Sequence, residues 1–392
     1  MTQPHAAPLD PAGVEPALRP FGSSRTLPAA AYLDPAVLAW ERRHLFAGSW
    51  MCLGRLDELS EGCNQRAVTA GDVGVLLTFD GTGDGGVRAF ANVCRHRGHE
   101  VLASGESARR ASAVCPYHGW AFRLDGSLAT APHMAGVANF DPAELGLVEL
   151  PATAWHGWVL VNAGHPAPPA EQYTGALDGL LAPYRPETLH LRARHDYEVR
   201  ANWKAIVENY QECYHCPLIH PELCKVSPPT SGDNWVLPGA WVGGTMDLRE
   251  HAETMSFDGR GTGVWIDGAP RRTILYVALF PNLLISAHPD YIMTHRLTPL
   301  APDRTAIECS WYFPDGIDDP AYAVDFWDLT NRQDWAATES VQRGLSSPHY
   351  VPGPLADNED AVYQWIALVA AAYLDPVAAI ARSVLVEHAA GQ

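Results

Sequence analysis

The chain has 392 residues, 47% of them apolar and 18% charged, the balance of an ordinary globular protein long enough for two domains. Its formal net charge of −18 argues against nucleic acid as a partner, because phosphate recognition needs concentrated Lys and Arg. A cationic substrate or a basic partner protein is compatible with that charge.

The first thirty residues are rich in Ala and Pro, and no basic start is followed by an apolar run, so they do not read as a secretory signal. Residues 1–28 read as a loosely ordered arm. The most apolar later stretch, residues 365–374, runs into Asp375 and Pro376. It is too short to span a membrane, which takes about 20 residues. The expectation is a cytoplasmic protein.

From about residue 50 to 163 the sequence predicts short strands joined by turns. Residues 73–79 are an apolar run, and residues 87–93 alternate side to side. Between them, residues 80–86 form a flexible hairpin loop. Ala121–Arg123 and residues 127–128 flank Asp125 and Gly126, a strong hairpin signal. Residues 158–162 close a small β domain, and the Pro- and Ala-rich residues 163–170 mark a boundary.

Beyond that boundary a helix is predicted from just after Asn202 to about Tyr214, because Pro217 cannot continue it. Strands follow at residues 272–280, 283–286, 291–297 and 305–313, then helices near 323–344 and 357–374. Strands first and helices after indicate an α+β fold, with a curved antiparallel sheet wrapped over a long helix. The expected division is an arm and first helix at 1–45 that packs on the second domain, a β domain at 46–165 and that second domain at 166–392.

Eight cysteines (Cys52, Cys63, Cys94, Cys115, Cys213, Cys216, Cys224 and Cys309) suggest no disulfide framework in a chain of this length. Cys94 and Cys115 sit in a metal pattern. The other six read as small buried hydrophobes or inert thiols.

The metal pattern is Cys94-Arg95-His96 followed by Cys115-Pro116-Tyr117-His118. Each loop offers one thiolate and one imidazole, and a hairpin-sized gap brings four ligands together at two loop tips. Zinc accepts such a set, although its sites more often use C-x-x-C or H-x-x-x-H pairs. Two Cys on one iron and two His on the other define a Rieske cluster, whose neutral imidazoles raise its potential to about −150 to +300 mV. The wording from Cys94 to Gly98 and from Cys115 to Trp120 resembles the Rieske domains of ring-hydroxylating and related oxygenase α-subunits.

A second constellation lies in residues 202–220, where His215 and His220 stand either side of Pro217. Two imidazoles plus a carboxylate on one face of iron leave positions open for dioxygen and substrate. Asp325, Asp328 and Asp334 are candidates for the carboxylate. The segment resembles the iron-binding helix of Rieske oxygenases. Residues 334–347 resemble the third-ligand helix of the choline, glycine betaine and carnitine monooxygenase branch, which implies Asp334 and not Glu339.

The resemblance covers about residues 35–375 and implies more. Glu212 takes the place of an acid that bridges the two centres, accepting a hydrogen bond from the Rieske His118 of a neighbouring subunit. Such a bridge implies a closed ring, a homotrimer. The implied helix-grip catalytic domain would hold mononuclear Fe(II). Electrons from NAD(P)H would arrive through a separate flavin- or ferredoxin-type reductase, since the chain has no evident dinucleotide fingerprint. Oxidation with dioxygen at an N-methyl carbon of a betaine-like quaternary ammonium compound would give formaldehyde and a demethylated amine.

An aromatic cage would suit such a cation, and Tyr210, Tyr214, Trp235, Trp241, Trp265, Tyr276, Phe280 and Tyr291 are the available rings, each of which also reads as core. Two alternatives stand: an aromatic ring-hydroxylating α-subunit, and a Rieske electron-transfer protein with an inactive iron site.

Overall fold

The computed structural model describes residues 6–81, 84–164, 166–376 and 379. The chain folds as two compact units, one made of the described residues of Met1–Glu41 and Glu171–Gln392, the other of Arg42–Ala170. The architecture is α+β, as the sequence indicated.

The described residues of the smaller unit form three antiparallel sheets. Gln65–Ala70, Val73–Thr78 and Arg88–Ala91 are the centre of the largest. A smaller sheet joins Ser112–Val114, Ala121–Arg123 and Leu128–Thr130. Its hairpin turns at Asp125, whose carboxylate accepts the Ser127 N–H at 2.9 Å. Phe90, Trp120, Phe122, Cys94 and Cys115 share one buried cluster, so the metal-pattern cysteines are rooted in this unit's core.

The larger unit carries a seven-stranded antiparallel sheet among its described residues. Its order is His190–Val199, Arg304–Phe313, Ile292–Ala301, Leu283–Ala287, Thr273–Leu279, Trp241–Asp247 and Asp233–Asn234. Trp311, Met293 and Ile274 from the sheet pack with Phe326 and Trp327 of the long helix Ala321–Leu345.

Asn202 starts the helix Trp203–Tyr210 by accepting the Lys204 N–H on its side chain at 3.0 Å. That helix is pinned by a fully buried ion pair, Lys204 Nζ to Glu41 Oε1 at 2.6 Å. Removing one partner would strand a buried charge, at a cost of about 3–5 kcal/mol.

The N-terminal segment is more ordered than the loose arm expected at residues 1–28. From residue 6 it is packed into the larger unit: Val14 and Leu27 are fully buried, and the Ala7 N–H donates to the Tyr373 carbonyl at 2.8 Å. Its Pro and Ala content hides short helices; Pro11–Val14 is capped by Asp10 and has Pro at its first turn, where proline is tolerated. Residues 1–5 lie outside the described residues. No helix among the described residues is long and apolar enough to cross a membrane.

Candidate metal centres

The two loops of the smaller unit share one backbone design. The Cys94 N–H donates to the His99 carbonyl and the Gly98 N–H to the Cys94 carbonyl; the Cys115 N–H donates to Trp120 and the Gly119 N–H to Cys115. Each turn needs a left-handed residue four positions after its cysteine, supplied by Gly98 (φ 77°) and Gly119 (φ 74°). Asn92 braces the first loop, accepting the N–H groups of Val101 and Leu102 and donating to the Leu102 carbonyl.

These turns bury Cys94 and Cys115, both free thiols, and leave the loop tips in solvent. Burial raises the Cys94 thiol, backbone N–H of His96 opposes this, and the neighbouring Cys115 thiol adds to it. The His96 and His118 rings lie 4.7 Å apart, and His96 stacks on Trp120 at 4.9 Å. His96 Nδ1 is buried with no hydrogen-bond partner. Two adjacent thiols, two adjacent imidazoles and an orphaned ring nitrogen fit a 2Fe–2S cluster with mixed Cys and His ligands.

In the larger unit the helix Trp203–Tyr210 ends four residues earlier than the sequence predicts. Glu212 is the reason. Its Oε2 accepts the N–H groups of Tyr214 and of His215, the latter at 3.1 Å, which a continuing helix would have donated to its own carbonyls. Pro217 therefore does not end the first helix; it lies in the first turn of a new one, Cys216–Ile219.

The fold-back also corrects the cysteine reading. Cys213 and Cys216 form a disulfide, because the turn brings their Cα atoms to 4.9 Å. The other six cysteines are free.

The structure brings His215, His220 and Asp334 together, with one ligand atom from each within 4.8 Å of the others. Asp334 Oδ1 is 2.8 Å from His220 Nε2 and 3.4 Å from His215 Nε2, and the two Nε2 atoms are 3.1 Å apart. Glu212 Oε1 meets His215 Nδ1 at 2.5 Å, and Gln333 Oε1 meets His220 Nδ1 at 2.7 Å. Both oxygens accept, so each Nδ1 donates and each Nε2 turns a lone pair inward.

Two lone pairs and a carboxylate converge with no donor between them, the pattern a metal satisfies. Without a metal a proton does so. Burial disfavours charge on His215, but hydrogen bonds to Asp334 and Glu212 outweigh it and lift the imidazole to about 9. Burial likewise opposes ionisation of Asp334, and hydrogen bonds from His215 and His220 hold it below the usual carboxylate range.

The other carboxylate candidates are elsewhere. Asp328 accepts from Tyr197 Oη at 2.6 Å and Arg332 Nε at 2.8 Å and lies 3.1 Å from His195 Nδ1, while Asp325 is exposed.

Glu212, His215, His220 and Asp334 line a cavity of about 380 Å³, together with Tyr210, Tyr276 and Trp327. Trp241, Phe280 and Tyr291, also among the sequence's candidate rings, are buried in the core. Two residues escaped the sequence reading. Gln333 was foreshadowed only by its place beside Asp334, and Trp327 only by falling two helical turns before it.

The catalytic-domain model of the ring hydroxylating alpha subunit matches residues 186–374, and the Rieske [2Fe-2S] domain model matches residues 49–141. The glycine betaine monooxygenase oxygenase subunit of Chromohalobacter salexigens is 30% identical over 374 residues, covering 86% of this chain and 83% of that protein. The carnitine monooxygenase oxygenase subunit of Escherichia coli (strain K12) is 32% identical over 334 residues, covering 83% and 85%. A solved quaternary ammonium Rieske monooxygenase, described for carnitine oxidation and inter-subunit electron transfer, superposes with a TM-score of 0.72 at 25% identity, over 94% of this chain and 99% of that one. The two-loop Cys/His unit, the sheet-and-helix unit with its inward-facing histidines and these relationships lead to one conclusion: the chain belongs to the Rieske non-haem iron oxygenases, oxidoreductases that carry a 2Fe–2S cluster and a mononuclear iron.

Proposed function

We propose that this protein is a monooxygenase component that oxidises a small quaternary or N-methylated ammonium compound, most simply by N-demethylation. The observation that carries the proposal is the convergence of His215, His220 and Asp334 in a cavity that also holds Tyr210, Tyr276 and Trp327. Rings suit an N-methylated cation, each contact contributing about 0.5–2 kcal/mol. The relatives named for glycine betaine and carnitine support the same substrate class.

In this reading Cys94, His96, Cys115 and His118 hold the cluster, and His215, His220 and Asp334 hold Fe(II). When bound, the cluster supplies electrons and the iron supplies a redox-active centre for dioxygen. The protein's own work is orientation. Glu212 and Gln333 fix the tautomers of the two histidines, as outer partners of metal ligands do.

Glu212 has a second task in the proposal. A carboxylate has about four acceptor sites. Within the chain Glu212 takes the N–H groups of Tyr214 and His215 and the His215 Nδ1–H, which leaves a site for a hydrogen bond from the partner subunit's His118. The assembly would be a homotrimer in the cytoplasm, served by a separate NAD(P)H-dependent reductase. The solved relative described for inter-subunit electron transfer supports a contact between subunits, and the oxygenase-subunit names of the others support a separate reductase.

Iron content and one variant test the site. The loaded protein should hold roughly three irons per chain, and His215→Ala roughly two, with the cluster's visible spectrum kept and turnover lost. Turnover surviving in that variant would sink the assignment of the second centre.

A further inference from the structure

The cavity's charges are one-sided. Beyond Glu212 and Asp334, three more carboxylates line it, Asp233, Asp357 and Asp360, and no Lys or Arg lines it among the described residues. Asp233 and Asp357 are exposed, and Asp360 is half-buried with its carboxylate accepting from Asn234 Nδ2 at 2.7 Å. Of the bases near the lining in sequence, Lys225 lies 3.9 Å from Glu222, Arg332 Nε donates to Asp328 at 2.8 Å, Arg249 Nε donates to the Cys224 carbonyl at 2.9 Å, and Arg272 donates to Ala252 and Leu248 at 2.8 Å. The three rings form an edge-to-face chain, Tyr210 to Tyr276 at 6.2 Å and Tyr276 to Trp327 at 6.4 Å.

We propose that the cavity selects a substrate of net positive charge: an N-methylated ammonium ion whose remainder is neutral, such as an alcohol, ester or amide, and which carries no carboxylate. The proposal rests on the ammonium reading above and narrows it. Rings and acids both favour the cationic head. A carboxylate tail would leave water for a site whose lining offers it no Lys or Arg and three like charges, and an unpaired anion is costly to desolvate. Glycine betaine and carnitine, for which two relatives are named, both carry a carboxylate; the lining here does not provide for one.

The acids also have local duties. Asp360 opens the helix Asp360–Leu374, where a negative charge is favourable in any protein. Asp357 precedes that helix and is exposed, so it carries the main test.

The experiment compares choline, glycine betaine methyl ester and glycine betaine with the holoenzyme, its reductase and NADH, following formaldehyde. The ester and glycine betaine share a trimethylammonium head and differ in the charge of the tail. The ester and choline should exceed glycine betaine in kcat/KM by about tenfold or more, mainly through KM. Asp357→Lys should raise kcat/KM for glycine betaine by about tenfold and lower it for the cationic ester. Asp360→Asn should narrow the gap in the same direction. Titration calorimetry with the ester and glycine betaine should give the same order of affinity without turnover.

Preference for glycine betaine in the wild type, or unchanged discrimination in Asp357→Lys, overturns this inference and leaves the ammonium reading standing. Formaldehyde from none of the three, with a hydroxylated product from an aromatic acid, overturns both.

Discussion

Glu212 and His215 meet at 2.5 Å, carboxylate oxygen to Nδ1, across a turn that the same carboxylate creates by taking the N–H groups of Tyr214 and His215. One side chain thus ends a helix, fixes a tautomer and brings negative charge beside the candidate iron ligands. Glu212→Gln keeps an oxygen to accept the Nδ1–H and removes the charge. Iron and cluster should both be retained. Stopped-flow re-oxidation of the reduced cluster with dioxygen and substrate should slow by about 10–100-fold. Unchanged re-oxidation with full turnover would remove the bridging role.

Gln333 does for His220 what Glu212 does for His215, at 2.7 Å. Gln333→Leu leaves the imidazole free to turn its proton inward. Iron affinity should fall by about tenfold or more, read by competition with a chelator, while the cluster spectrum is untouched. An iron affinity equal to wild type would show that His220 is oriented by something else.

Asp334 and Asp328 separate cleanly by contacts. Asp334→Asn should lose the mononuclear iron and turnover. Asp328→Asn should keep both and lose about 1–3 kcal/mol of stability, because Tyr197, His195 and Arg332 lose a charged partner. Metal analysis beside a denaturation curve distinguishes them, and the reverse pattern would exchange their roles.

Asp290 gives a pH prediction apart from the metals. It is fully buried and accepts hydrogen bonds from Thr254 and Tyr322, each at 2.6 Å. Burial pushes its carboxyl up from 3.8 to about 6, against the pull of those hydrogen bonds. Between those values the folded chain keeps a proton that the unfolded chain has lost. Its contribution is therefore full below about pH 4 and falls as pH rises to about 6, by up to ~3 kcal/mol. In Asp290→Asn this slope disappears, so Tm of the wild type minus Tm of the variant should decline from pH 4 to 6 and level off above. A difference that grows with pH would contradict the assignment.

The candidate metal residues stand out because their chemistry is compressed into short motifs: two Cys/His loops, and two histidines five residues apart. The apolar strands at Thr273–Leu279 and Leu283–Ala287 were legible for the same local reason. What escaped depends on partners distant in sequence. His190–Val199 is an edge strand with exposed and half-buried positions alternating, so its polar residues carry no apolar signal. Trp241–Asp247 gives no clear strand signal because Gly243 and Gly244 interrupt it. A side chain at Gly243 would collide with the Tyr276 carbonyl 2.1 Å away, so glycine there marks close strand approach. The early stop at Tyr210 and the Cys213–Cys216 disulfide follow from the Glu212 turn, which no helical periodicity announces. Gln333 and Trp327 acquire meaning only once the long helix faces the sheet.

The most direct test of the central claim is the ratio of formaldehyde formed to oxygen consumed in coupled turnover, with iron-loaded protein, reductase, NADH and a panel of N-methylated ammonium compounds. The account predicts equal amounts of formaldehyde and oxygen for at least one of them, and neither for the His215→Ala variant. Oxygen consumed with no formaldehyde from any ammonium compound, and a hydroxylated ring from an aromatic one, would contradict it.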